Sequence, residues 1–193
     1  MRRRGWEGDA LAALGEQLGQ ASEHVELVVV GGAALLALGL IDRATRDVDV
    51  VGIRVAGVIR SAKPLPAALA AAARRVARDL ELPEDWLNPG PTDLLDFGLP
   101  VGFLDRVRFQ AYGPHLVVLF ASRYDQVHLK LYAAVDQAGG RHGDDLRRLH
   151  PTRDELLDAA RWTTTHDPSP GFREQLLLTL ELLGVDDANA DLG

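Results

Sequence analysis

Residues 27 to 52 constrain the chain more than any other stretch. They read Leu27-Val-Val-Val30, then Gly31-Gly32, an Ala-Leu run to Leu38, and Arg43-Ala-Thr45-Arg-Asp47-Val-Asp49-Val-Val-Gly52. Three β-branched valines in a row predict a buried strand. The glycine pair lets the backbone approach another group closely, and the Ala-Leu run predicts a short helix starting at the turn. Side chains alternate along a strand, so Asp47 and Asp49 face one way while Val48 and Val50 face the core. Two carboxylates on one face repel unless a cation lies between them. An oxygen-only pair of this kind suits Mg²⁺ and phosphoryl or nucleotidyl transfer. Free N–H groups at the start of the helix, beside Gly31 and Gly32, suit phosphate.

The rest of the chain predicts a small mixed sheet followed by helices, an α+β (mixed α/β) order. A first helix is expected over 8–20, with Leu11, Leu14 and Leu18 on one side. Strands are expected over 25–30 and 47–53, with a helix over 31–39 between them. An Ala-rich helix follows, opened by Pro64 and Pro66 and ending near Leu80. The segment 82–91 is rich in breakers and reads as a loop. Strands over 101–110 and 115–121 form a hairpin at Tyr112-Gly-Pro114. Helices are expected over 123–137, 143–149, 152–163 and 171–184. The expected organisation is a core over 1–121, a helical part over 122–185 and a flexible acidic tail over 186–193.

Composition narrows the chemistry. There is no cysteine, which removes disulfides and thiolate metal sites. The six histidines include no helical i, i+4 pair of the zinc type. Ser61, Ser122 and Ser169 lack a nucleophile-elbow setting, and the Gly-Gly turn lacks the Lys-Ser/Thr of a Walker A loop. No apolar stretch reaches a membrane span, and Met1-Arg-Arg-Arg4 does not lead into a signal-peptide apolar region; the expected location is the cytoplasm. A net charge of −7 argues against a general nucleic-acid binder. Local arginine clusters nonetheless occur at Arg2–Arg4, at Arg74, Arg75 and Arg78, and at Arg147, Arg148 and Arg153; they read as solvated faces or as a track for a phosphate backbone. Only two lysines occur, Lys63 and Lys130, and Lys130 sits in an otherwise apolar helix.

The strand, Gly-Gly, helix and Asp-x-Asp pattern resembles the nucleotidyltransferase superfamily signature. It is most similar to the AbiEii-like branch, with bacterial toxins of the MenT type and related DUF6036-like proteins. His128-Leu-Lys130-Leu and Asp144-Asp145-Leu resemble that branch's helical lysine and later Asp-Leu element. The likeness spans about residues 25–150. It implies a fold with a small mixed sheet flanked by helices, and transfer of an NMP from an NTP to an acceptor hydroxyl. Asp47 and Asp49 would bind Mg²⁺; Gly31, Gly32, Arg43 and Lys130 would hold or brace the nucleotide; Asp145 would orient Lys130 or the acceptor. By the same resemblance the acceptor would be the tRNA 3′ end, and the partner a cognate antitoxin. A protein or antibiotic-like acceptor, or a non-catalytic domain that binds a nucleotide or a partner, stays open. The chain departs from the pattern at Gly32, where many members carry Ser, and at His142, where the branch often has Asp. For a third carboxylate the candidates are Asp96 and Asp105.

Overall fold

A computed structural model describes residues 5–137 and 140–192, so the Arg2–Arg4 cluster lies outside the described residues. The chain divides into two compact units, Met1–Ser122 and Arg123–Gly193.

The first unit opens with helix α1 (Trp6–Gln20), whose Trp6, Ala10, Leu11, Leu14 and Leu18 are buried. Strand β1 (Val25–Val30) runs directly into helix α2 (Gly31–Ala37), and Gly39 at φ +71° ends that helix in a left-handed turn. Strand β2 (Val48–Val55) returns antiparallel to β1. A tight turn at Ala56 and Gly57, both at positive φ, then reverses into β3 (Val58–Arg60). Helix α3 (Ala67–Asp79) starts after Pro66 rather than at Pro64.

Two features depart from the expected pattern. Inside the breaker-rich segment, Leu87 and Asn88 form a short strand β4 parallel to β2, followed by a 3₁₀ helix over Gly90–Asp96. The breakers do end regular structure, but β2 supplies an open edge; Thr92 also donates to the Val51 carbonyl at 3.0 Å and accepts from the Ala62 N–H at 3.1 Å. The strand expected over 101–110 is shorter. Gly102 at φ +73° starts a turn of helix α4 (Phe103–Arg106) that buries Phe103, leaving only β5 (Arg108–Ala111) to pair with β6 (Leu116–Phe120).

The result is a six-stranded mixed sheet, in the order β3-β2-β1-β6-β5 with β4 on β2. Because β1 holds one edge of β2, β3 and β4 share the other. On one face Leu27, Val29, Val48, Val50, Leu116, Val118 and Phe120 join α1 and α3 in one apolar core. Trp86 is fully buried there, donates its indole N–H to the Ala73 carbonyl at 3.0 Å and meets Trp6 edge-to-face at 6.2 Å. Trp86 thus plugs this core with its ring while its indole N–H finds a backbone partner.

In the second unit, α5 (Arg123–Asp136) packs against α6 (Gly140–Arg148), α7 (Arg153–His166) and α8 (Pro170–Glu181). Residues Ala188–Asp191 form a further helical turn, α9, tied to α7 where Arg153 pairs with Asp187 and Asp191. Helix α7 begins in a capping box, with Thr152 and Glu155 satisfying each other's backbone N–H groups. Glu155 also accepts from Arg123 at 2.6 and 2.9 Å, and this pairing holds its carboxyl below the usual value of 4.5. A depressed carboxylate contributes stability above its unfolded pKa and loses it as pH falls through the folded one. Glu155→Gln keeps the cap but removes the charge. Its unfolding midpoint in urea should fall below wild type at neutral pH, and the gap should close as pH drops below 4.5. A gap independent of pH would exclude the ion pair as its source.

Candidate active site

At the end of β1 the chain enters α2 through Gly31, which has φ +67°. Any L side chain is strained there, and a more specific reason for glycine lies opposite. Val30 pairs with Asp49 across the β1–β2 ladder, and a Cβ on Gly31 would overlap Asp49 Oδ2 and lie 3.1 Å from its Cγ. Gly32 has an equivalent reason: its Cβ would meet Thr45 Cγ2 at 2.5 Å. The glycine pair thus admits Asp49 on one side and Thr45 on the other. A hydroxymethyl group at position 32 would collide with Thr45, which accounts for glycine where many superfamily members carry serine.

Val48 and Val50 are fully buried, while Asp47 and Asp49 are half-buried beside them. Asp49 lies within β2, whereas Asp47 occupies the bend one residue earlier. Asp49 Oδ1 accepts from Asn88 Nδ2 at 2.9 Å, and Asn88 Oδ1 in turn accepts from the Gly90 N–H at 2.9 Å. Both amide atoms of Asn88 are therefore committed, which fixes its orientation. Asp47 is placed by a different route. The buried Glu7 on α1 accepts the Thr45 N–H at 3.3 Å and the Thr45 hydroxyl at 2.8 Å. The same hydroxyl lies 3.2 Å from the Asp47 carbonyl and shares its proton there. Arg43 is half-buried in the loop between α2 and β2.

Sequence reading passed over Glu7, whose partner is 38 residues away. One signal was present: position 7 falls on the apolar stripe with Ala10, Leu11 and Leu14, where a carboxylate needs a partner. Asn88, in the breaker-rich segment, places its amide on Asp49, 39 residues away in sequence.

Lys130 and Asp145 come together in the second unit. Lys130 Nζ lies 3.0 Å from Asp145 Oδ2, with side-chain exposures of 7% and 0%. The ammonium also lies 3.5 Å from His142 Nδ1. Asp96 and Asp105 are both exposed, and among the described residues no group of three or more histidine or acidic side chains is placed to hold a metal.

The donor set fits Mg²⁺ in type: hard carboxylate oxygens, with Asp49 seated in a space that a single Cβ at Gly31 would fill. Two acids are few for a closed cage, and they match a site that takes its other ligands from water and substrate phosphates.

Gly31→Ala tests the close approach. Gly39 is its control, because it has φ +71° but nothing within 4 Å of its Cβ. Both variants should lose about 1–2 kcal/mol to left-handed backbone strain, measured by thermal melting. Gly31→Ala alone should also displace Asp49, and a reaction that depends on that carboxylate should slow by about 100-fold, the usual result of moving a reacting group by about 1 Å. Equal activity losses in the two variants would remove the Asp49 contact as the cause.

A buried strand, a Gly-Gly turn and an adjacent strand with Asp-x-Asp at its start, Asp47 in the bend and Asp49 in β2, form one unit. Consistent with it, the family model for "Nucleotidyltransferase of unknown function (DUF6036)" matches residues 9–139, and the chain belongs to this family. The match takes in Gly31, Gly32, Asp47, Asp49, Asn88 and Lys130, and stops short of His142 and Asp145. No curated protein and no solved structure matches the chain.

Proposed function

We propose that the protein is a metal-dependent nucleotidyltransferase that moves an NMP from an NTP to an acceptor hydroxyl. Asp47 and Asp49 would hold Mg²⁺, with the acceptor the 3′ end of tRNA. The observation that carries this reading is the seating of Asp49 against Gly31, with Asn88 bonded to its carboxylate. The glycine leaves room for this half-buried carboxylate where β1 turns into α2.

In the reaction the acceptor oxygen attacks the α-phosphorus. The bond from that phosphorus to the bridging oxygen breaks, pyrophosphate leaves with the electron pair, and the hydroxyl proton passes to water. Bound Mg²⁺ would offset the charge that builds on the phosphate oxygens. The chain's own part is to fix the Asp49 carboxylate and the backbone that carries Asp47. Asn88 holds Asp49, and the Glu7–Thr45 contact holds the bend carrying Asp47. The resemblance adds Gly31, Gly32, Arg43 and Lys130 as contacts for the nucleotide. Supporting a role for Lys130 within its own unit is an ammonium held by Asp145 rather than one swinging in solvent. The tRNA acceptor, a toxin role and an antitoxin partner rest on the AbiEii-like and MenT-type resemblance.

The test is an incubation with Mg²⁺, each α-³²P-labelled NTP and total bacterial tRNA, resolved on a denaturing gel. Label on RNA is the expected result. Label on protein or on a small molecule would replace the acceptor while keeping the chemistry. A second reading, nucleotide binding without transfer, is favoured by one observation, the lack of a three-ligand cluster among the described residues. Nucleotide binding indifferent to Mg²⁺, with no label transferred, would select it.

A further inference from the structure

The short strand β4 places one residue directly beside Asp49. Asp49 and Asn88 are register partners in the parallel β2–β4 pair, so their side chains leave the sheet on the same face. Position 88 is therefore where one more carboxylate would stand beside Asp49. The chain puts a neutral amide there. Its NH₂ donates to Asp49 Oδ1 at 2.9 Å, and its oxygen is turned away from Asp49 to accept the Gly90 N–H at 2.9 Å. A neutral donor at this place does two things at once: it holds the Asp49 carboxylate in one orientation, and it presents N–H rather than oxygen to that carboxylate.

We infer that Asn88 is a positioning residue that fixes Asp49 and limits the site to two acidic ligands. The protein alone then binds a divalent cation weakly, and the nucleotide's phosphate oxygens complete the coordination. This rests on the metal-site reading above. Affinity for hard cations rises with the number of charged oxygen ligands, so the identity of residue 88 sets how far the site depends on its substrate.

Asn88→Asp is the informative substitution. A carboxylate there still accepts the Gly90 N–H, so the local turn keeps its hydrogen bond. It loses the N–H to Asp49 and adds a third like charge, which should lower the melting temperature without metal. Mn²⁺, which can be followed by electron paramagnetic resonance, serves as the probe. Titrations of wild type, Asn88→Asp and Asn88→Ala would be run with and without a non-hydrolysable NTP, alongside melting curves. Wild type is expected to bind Mn²⁺ more tightly when the nucleotide is present. Asn88→Asp should bind it about tenfold more tightly without nucleotide, and Mn²⁺ should restore its melting temperature. Asn88→Ala should bind Mn²⁺ less tightly than wild type while melting within a few degrees of it, because Asp49 has lost its holder.

Wild-type binding with no gain in Asn88→Asp would overturn the two-acid limit and leave the transferase reading standing. An unchanged Mn²⁺ affinity in Asn88→Ala would overturn the positioning role, even if the aspartate variant failed to fold. Absence of Mn²⁺ binding in all three, with or without nucleotide, would remove the metal site itself and this inference with it.

Discussion

Asp49→Ala should abolish nucleotidyl transfer, by about a thousandfold or more, while the protein melts at or near the wild-type temperature. The two halves of this expectation come from different parts of the structure. Asp49 is half-buried, its neighbours Val48 and Val50 carry the packing, and its removal opens space beside Gly31 rather than closing it. Little stability is at stake. The carboxylate, by contrast, is the better fixed of the two acids, and a charged group preorganised for the transition state is commonly worth about 10²–10³ in rate by itself. On the proposed reading, loss of the cation that Asp49 would hold adds to that. Label transfer from α-³²P NTPs, measured with circular dichroism melts, checks both parts. An Asp49→Ala protein that works within about threefold of wild type would remove the acid pair from the chemistry, since even one lost preorganised donor costs more. One that fails to fold would show that the residue is structural.

The second large effect belongs to stability. Lys130→Ala leaves the Asp145 carboxylate, fully buried, without the ammonium 3.0 Å away. Breaking one side of a buried ion pair typically costs about 3–5 kcal/mol, whereas replacing both partners with apolar groups of similar volume is often nearly neutral. Lys130→Ala and Asp145→Ala should each lower the urea midpoint markedly. The pair Lys130→Met with Asp145→Leu should recover most of the loss. The comparison also bears on nucleotide binding. A double variant that regains stability but not NTP affinity would support the phosphate contact implied by the resemblance. One that regains both would make Lys130 a structural residue.

The parts of the fold legible in the sequence were those with a repeating pattern of their own. The valine run of β1, the Ala-rich α3 and the helices from Arg123 onward carry enough periodic apolar residues to identify themselves. The elements that escaped are made by their neighbours. Strand β4 is two residues long and exists because β2 has an open edge there, while β3 depends on a reversal at Ala56 and Gly57 with no strong turn dipeptide. Helix α4 replaces expected strand because Gly102 adopts a left-handed conformation that ends the extended run. The candidate site follows the same division. Gly31, Gly32, Asp47 and Asp49 are contiguous enough to read as a motif. Glu7 and Asn88 act from 38 and 39 residues away, through contacts that only the folded sheet creates.

The central strand has a consequence for how this chain reaches its folded state. Strand β1 can pair with β2 as soon as the first half of the unit is made, but its other edge is filled by β6, with Val25 opposite Leu116. Until residues 116–120 are available, the edge of β1 that faces β6, Val25 to Val29, has no neighbouring strand. Such an open edge, rich in β-branched residues, is a template for pairing between chains, and pairing across so long a loop is slow to form. The nascent or truncated chain is therefore most exposed to self-association through the same strand that, once closed by β6, leads into the Gly31 turn and its aspartate.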